Sequence, residues 1–383
     1  MKIGLIATYG VRCGIATYTA HLAQQLAKEH EVIIFAEDYL NNKQPDFNSD
    51  LKVIRCFNRN HSSPGLLKAL RTYPCDIVHI QHEYGIFGNL KNELSHVAAE
   101  YEGRTVITLH TVYPTDGVFD LQSCADCFII HNSYGKEYLL EQEIKGDKIK
   151  VIIHGTLLLP QISQREVRIK LHLPLDRKII LTHSFIERRK NIDKVIKAVA
   201  KVKNGLPITY IHVGSVHPHL LDWLGQSYLS ECRELIEELG IASEVMIIDR
   251  FISEEEMSYY LAAADVIVIM ENSTYPEIHA SGVMHTVTPG KPVIASNIPD
   301  FAEFPDDAVY KINIDEESLK RAIKEVLSDS GLASRLSGNL LSYAQATSWE
   351  NTAKRHVEIY EDITNSYRLA HLRELPVVSL NSS

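Results

Sequence analysis

The sequence predicts an α/β protein built from two Rossmann-like domains, and three observations predict it. Short β-branched runs alternate with longer stretches of helical spacing, the signature of βαβ units and a mostly parallel sheet. The alternation lapses into a polar stretch near Pro160–Pro174 and then restarts as a second series of similar length. The chain has 383 residues. A single core stops growing near about 250–300 residues, so this length suits two domains.

The candidate strands of the first half are Lys2–Ala7, Glu31–Ala36, Leu51–Cys56, Ile77–His82, Thr105–His110, Cys127–His131 and Ile149–Ile153. Between the first two lies Ile15–His30, with apolar residues at 15, 18, 22, 23, 26 and 27, which is helical spacing. In the second half Lys178–Ser184, Ile208–Val213, Val245–Asp249, Val266–Met270, Pro292–Ala295 and Val309–Ile312 read as strands. Asn191–Val202, Tyr228–Leu239 and Glu254–Ala264 read as helices. The expected organisation is a first domain over residues 1–165 and a second over residues 166–347, facing each other across a cleft. Residues 348–383 supply a last helix, Ser348–Tyr367, crossing back onto the first domain, and a frayed tail.

Composition narrows the function. Hydrophobic residues make up 45% of the chain, enough for a sizeable core. The net charge is −10 and no basic stripe runs through the sequence, which argues against nucleic-acid binding as the main task. An acidic protein that takes an anionic substrate needs local cations. No stretch approaches the roughly 18 apolar residues that a membrane span requires, and no strongly basic amphipathic helix argues for surface anchoring. The six cysteines are scattered, and Cys124-x-x-Cys127 is a lone pair, so it reads as core packing in a cytoplasmic protein rather than a zinc or redox site.

Three regions carry candidate chemistry. Gly10–Thr17 joins the first strand to the first helix, where a doubly wound fold brings a phosphate to a helix N-terminus. It lacks both the dinucleotide G-x-G-x-x-G fingerprint and the P-loop Gly-Lys-Ser/Thr. A tight turn and a phosphate contact both explain it, and Arg12 tips the balance towards an anion. On two successive strands sit His79, His82 and His110. His79 and His82 are three apart, on opposite faces of a strand, which argues against a shared metal. His82, Glu83 and His110 fall at C-terminal strand ends, which line the substrate crevice of such sheets, whereas His79 lies deeper and reads as structural. In the second half, Arg188, Arg189 and Lys190 form a cationic strand-to-helix turn suited to a pyrophosphate. Glu277, before Ser281-Gly282, is placed to accept from sugar hydroxyls or to favour a helix start.

In this order these pieces resemble the retaining glycosyltransferases of family 4, especially the mannosyltransferase-like branch. The matching stretches are Arg12–Tyr18, His79–Gly88, Thr108–Thr111, Ser184–Lys190, Arg250-Phe251 with Glu254–Glu256, Ala263–Asp265, and Ser281-Gly282 through Gly290–Ser296. The resemblance implies a GT-B fold. Its second domain would hold a nucleotide sugar and its first would supply the acceptor side. It implies that Lys190 binds pyrophosphate, that Glu277 touches the donor sugar, that His110 lies near the reacting sugar and that Gly14 lies beside the diphosphate. Arg12, Ser184, Arg189, Arg250, Ser281, Gly282, Val283 and His285 complete the expected donor side, and His82, Glu83 and Tyr84 the acceptor side.

Three departures from the family pattern stand out. His285 replaces the second glutamate of the Glu-x7-Glu motif. The arginine that often precedes the lysine is absent, leaving Arg188 and Arg189 to substitute. Met270, followed by Glu271, replaces the usual proline after the Val266–Ile269 strand.

The implied reaction moves a hexosyl group, by branch resemblance a mannosyl group, from a nucleotide sugar to a hydroxyl of a glycan, glycolipid or small glycoside. GDP-mannose is the favoured donor and a UDP-hexose the alternative. Cations and helix N-termini can stabilise the leaving diphosphate without an obligatory metal. Two other readings remain at this stage: a different GT-B enzyme, such as a sugar-nucleotide epimerase or a disaccharide phosphorylase, and an inactive nucleotide-sugar-binding protein.

Overall fold

The computed structural model describes residues 1–383 except 12, 39–49, 60–64, 88–93, 95–96, 98–99, 113–121, 123–124, 204, 217–221, 274–277, 280–289 and 375–383. The chain divides into two compact units. The first comprises Met1–Gly155, Pro276–Ala280 and Trp349–Ser383, and the second Thr156–Tyr275 and Ser281–Ser348.

The first unit carries β1 (Lys2–Ala7), β2 (Glu31–Glu37), β3 (Lys52–Phe57), β4 (Ile77–His82), β5 (Arg104–Leu109), β6 (Thr111–Val112), β7 (Cys127–Ile130) and β8 (Ile149–Val151). Seven of them form one sheet in the order β3-β2-β1-β4-β5-β7-β8, and every pairing is parallel. All six residues of β4 are buried, because parallel strands are covered on both faces by crossover helices. The Gly14–Leu26 helix returns β1 to β2, burying Ile15, Tyr18, Leu22 and Leu26. The Trp349–Glu374 helix packs along it, so this helix belongs to the first unit.

The second unit repeats the pattern with β9 (Lys178–His183), β10 (Ile208–Val213), β11 (Val245–Ile248) and β12 (Val266–Ile269). After β13 (Ile278–His279) it continues with β14 (Val293–Ser296) and β15 (Val309–Ile312). Its sheet order is β11-β10-β9-β12-β14-β15, again parallel throughout. The two-residue β13 pairs antiparallel with β6, Ile278 opposite Val112 and His279 opposite Thr111, and is counted in the first unit.

The polar stretch near Pro160–Pro174 holds a helix, Gln164–Lys170, whose first turn is capped by Ser163. It escaped sequence reading because its inward face carries an arginine. Arg168 is only 6% exposed, yet its guanidinium is satisfied: it pairs with Asp265 at 2.6 Å and donates to the carbonyls of Ala263 and Arg177. A buried charge survives only when paired and hydrogen-bonded in this way. The helices Glu316–Ser328 and Ser330–Ala346 were likewise not read from the sequence.

The chain passes between units at Gly155–Thr156 and Ser348–Trp349, and on either side of residues 276–280. Within the second unit, the Thr156 N–H donates to the Thr347 carbonyl at 2.7 Å. Within the first, Gly155 lies flat on the indole of Trp349, where an added Cβ would come within 2.4 Å of the ring.

Candidate functional site

In the first unit, C-terminal strand ends and the Gly14–Leu26 helix bring together a cluster of rings. Tyr18 packs edge-on against His110, His154 and Trp349, with centroids 4.8, 5.1 and 4.9 Å away. His131, at the end of β7, lies 5.1 Å from His110. His110 is 9% exposed, and burial, reinforced by His131, His154, His79 and His82, holds its pKa well below the ordinary imidazole value. Its ring is therefore neutral at pH 7 and meets its neighbours as a hydrogen-bonding group, not as a cation. Its Nε2 lies 3.0 Å from Gln81 Oε1. An amide oxygen only accepts, so Nε2 carries the proton and Nδ1 is the acceptor.

His79 is fully buried between Tyr360, on the last helix, and Thr108, at 2.6 and 2.7 Å. His82 is 2% exposed and stacks on Phe87 with Tyr84 at its edge. Glu83 turns back on its own chain and accepts the Gly85 N–H at 2.5 Å, fastening the start of the Tyr84–Phe87 turn. Gly14 opens the first helix, and a Cβ there would meet nothing within 4 Å.

In the second unit, the three cations after β9 are divided. Arg188 turns outward to Glu231 on the Asp222–Glu238 helix. Arg189 and Lys190 turn inward to Glu271, at 3.0 and 2.6 Å, and Arg189 also reaches Glu187 at 3.0 Å. Burial pulls the Lys190 ammonium below the usual lysine pKa, and the Glu271 carboxylate opposes that pull. Asn191 ends the turn at φ 50° and opens the Ile192–Val202 helix. Its amide donates to the Met270 carbonyl and to Asn272 Oδ1, at 3.2 and 3.0 Å, which ties the cationic turn to the end of β12.

The residues that follow β9, β10 and β11 line a cleft of about 150 Å³, among them His183, Ser184, Phe185, Gly214, Arg250 and Phe251. Whole-ligand pockets measure roughly 300–1,000 Å³, so this one suits part of a ligand, such as a single flat ring. Phe185 and Phe251 are 39% and 53% exposed. Arg250 pairs with Glu256 through its two terminal guanidinium nitrogens. Gly214 makes the close approach of β10 to Ser184 feasible: its φ is +146°, and a Cβ would lie 2.0 Å from the Ser184 carbonyl oxygen.

Of the expected site residues, Arg12, Glu277, Ser281, Gly282, Val283 and His285 lie outside the described residues, as does Cys124. The sequence by itself does not mark Gln81, Gly214, Phe185 or Phe251 as site residues. Glu271 was noticed only as a departure, although a carboxylate directly after a buried apolar strand is itself a signal, since its charge must be paired. Among the described residues no group of three or more His, Cys, Asp or Glu side chains is placed to hold a metal ion.

Two parallel α/β sheets, the second with a cationic turn and a cleft at its strand ends, are the architecture of the GT-B glycosyltransferases. Solved structures share it over nearly the whole chain. A sucrose-phosphate synthase from Thermosynechococcus elongatus matches with a TM-score of 0.76 and 19% identity, covering 96% of this chain and all of that one. Anabaena HepE in complex with UDP matches at 0.74 and 17%, covering 94% and 100%.

The family model described as Glycosyltransferase Family 4 matches residues 13–156, and that for Glycosyl transferases group 1 matches residues 163–340. The chain belongs to glycosyltransferase family 4, whose members are retaining enzymes that use nucleotide-sugar donors. Among curated relatives, the alpha-monoglucosyldiacylglycerol synthase of Streptococcus pneumoniae is 26% identical over a gapped alignment of 411 positions that covers 96% of this chain and 88% of that protein. The serotype-specific mannosyltransferase WbdA of Escherichia coli is 22% identical over 249 residues, 62% of this chain and 29% of that protein.

Proposed function

We propose that this enzyme transfers a hexosyl group from a nucleotide sugar to a hydroxyl of a glycan, glycolipid or small glycoside. The donor lies on the second unit and the acceptor on the first. The observation that carries the reading is the presence, after the strands of one sheet, of two part-buried cations, Lys190 and Arg189, and of a 150 Å³ cleft with two exposed phenylalanines. A diphosphate on the cations and a base between Phe185 and Phe251 fit that arrangement. Lys190 and Arg189 stabilise the charge that develops on the leaving diphosphate, the term that dominates catalysis of this kind. No divalent cation is required for it. Neutral His110 orients the reacting sugar, Glu277 accepts from its hydroxyls, and the departing phosphate oxygen takes the acceptor proton.

A UDP-hexose is the first choice of donor. The relative that spans most of both chains is named for a glucosyl product, and HepE has been solved with UDP-glucose. GDP-mannose, the donor expected from sequence, has the support of the partial match to a mannosyltransferase. Among the described residues no helix is long and apolar enough to cross a membrane, and we assign a cytoplasmic location with peripheral access to membrane-bound acceptors.

The test is a thermal-shift panel of UDP, GDP, ADP and their hexose conjugates in the presence of a metal chelator. A ligand at about 100 times its dissociation constant stabilises by roughly 2.7 kcal/mol, a readable shift. A shift with one nucleotide, followed by hexosyl transfer from its conjugate, is expected. Shifts with none of them would remove the donor-site reading, and a shift without hexosyl transfer would return the chain to the inactive nucleotide-sugar-binding alternative.

A further inference from the structure

The donor-side cations are already engaged. Glu271 is 6% exposed and contacts both Lys190 and Arg189, while Arg189 also meets Glu187. Two cations against two carboxylates leave the turn with no net positive charge to attract an anion. The position of Glu271 is built into the backbone. Its own N–H donates to Ser296 Oγ at 2.9 Å, and the next N–H, of Asn272, donates to the Arg189 carbonyl at 2.9 Å. Strand end and cationic turn are thus sewn together, so the carboxylate cannot drift from the cations without a side-chain rotation. A diphosphate arriving at Lys190 must therefore displace the Glu271 carboxylate, and it then sits beside it as a like charge. At a separation near 4 Å, like charges repel appreciably even in a well-screened setting.

We propose that Glu271 is a built-in competitor for the donor-phosphate cations, which sets the affinity for the nucleotide and turns away anions of lower charge such as inorganic phosphate. The proposal rests on the reading that Lys190 and Arg189 receive the donor diphosphate. A tethered carboxylate competes at high effective concentration, so only an anion that brings more charge, or further contacts through its base, prevails. The cost is weaker donor binding, and the gain is a cation pair that monovalent and singly phosphorylated solutes do not fill.

The experiment titrates wild type, Glu271→Gln and Lys190→Ala with UDP, GDP and inorganic phosphate by calorimetry at low ionic strength. Glu271→Gln is expected to bind the preferred nucleoside diphosphate about tenfold more tightly, and to acquire measurable binding of inorganic phosphate that wild type lacks. It is also expected to melt lower than wild type without ligand, because Lys190 loses its counter-ion, and to gain a larger ligand-induced shift. Unchanged or weaker diphosphate binding by folded Glu271→Gln overturns the proposal. Should that variant not fold, Glu271→Asp keeps the charge but withdraws it by one methylene: tighter binding than wild type supports the proposal, and equal or weaker binding overturns it. Wild-type binding that Lys190→Ala leaves intact would instead overturn the underlying donor-site reading, so the two failures are told apart.

Discussion

Gln81 Oε1 lies 3.0 Å from His110 Nε2, and this contact determines which nitrogen of the imidazole carries the proton. Gln81 is fully buried and its amide nitrogen faces the His79 ring, which in turn is held by Tyr360 of the last helix. The tautomer of His110 is thereby tied to the anchoring of the chain's C-terminal helix. Gln81→Leu should leave His110 with an unsatisfied buried N–H or the opposite tautomer, a loss of about 1–3 kcal/mol. The melting temperature should fall accordingly, and as the ring loses its orientation kcat should fall with little change in donor KM. Gln81→Glu should place a carboxylate beside the ring, raise the His110 pKa and shift the acid limb of the pH–rate profile upward. Steady-state kinetics across pH check both. An unchanged kcat and profile in the two variants would show that Gln81 only packs.

Gly14 separates folding from donor binding. A Cβ at this position meets nothing within 4 Å, so Gly14→Ala should melt within a degree or two of wild type. A diphosphate over the start of the first helix approaches its N–H groups closely, and the added methyl would stand in its way. We therefore expect a severalfold rise in donor KM at unchanged stability. Kinetics and a melting curve on the same preparation decide the matter, and equal KM values would remove Gly14 from the donor side.

Much of the fold was legible in the sequence because parallel strands are buried on both faces and write themselves as β-branched runs. β1, β4, β10 and β15 have the bounds their residues predict. What was not legible depends on partners remote in sequence. The Gln164–Lys170 helix hides its register because Arg168 faces inward, which makes sense only once Asp265 is beside it. The histidines at 79, 110 and 131 could be placed on strands, but their association with Tyr18, Trp349 and His356 joins residues more than 300 positions apart. The three cations at 188–190 read as one patch, and the structure splits them, because helix and strand-end carboxylates pull Arg188 one way and Lys190 the other.

Gly214 is the position whose side chain the second unit cannot admit. Its φ of +146° is disfavoured for any residue with a Cβ, and that Cβ would sit 2.0 Å from the Ser184 carbonyl oxygen. Relief requires β9 and β10 to separate at their ends, where the Ser184 N–H donates to Val213 and the Ile186 N–H to Ser215. Gly214→Ala should cost about 3 kcal/mol or more, from strain and overpacking together. The urea midpoint should fall accordingly, and nucleotide binding should weaken as the cleft deforms. A midpoint within error of wild type would mean that the strand ends are looser than their hydrogen bonds imply.

Acid should unfold this protein through histidines rather than carboxylates. Burial pushes His131 and His356 down to about 4 and His212 to about 3. His131 sits among Tyr18, His110 and His154, and His356 among Tyr18, His79 and Tyr360. Neither has an acid among these ring neighbours to stabilise an imidazolium. Above the unfolded value of 6.5 these rings are neutral in both states, and the native contribution is fully present. As pH falls below 6.5 the unfolded chain takes up protons that the folded chain refuses, and stability drains away until the folded pKa is reached near 4. Each of His131 and His356 accounts for a loss on the order of 3 kcal/mol across that window. Glu317, drawn down to about 2 by Lys320 and Lys201, stays charged in the folded protein throughout it. Urea midpoints at pH 7.5, 6 and 5 should therefore fall steadily. His356→Gln should flatten that slope by up to one proton, or about 1.4 kcal/mol per pH unit. A protein equally stable at pH 7 and pH 5 would mean that water reaches these rings and that they are not the closed core described above.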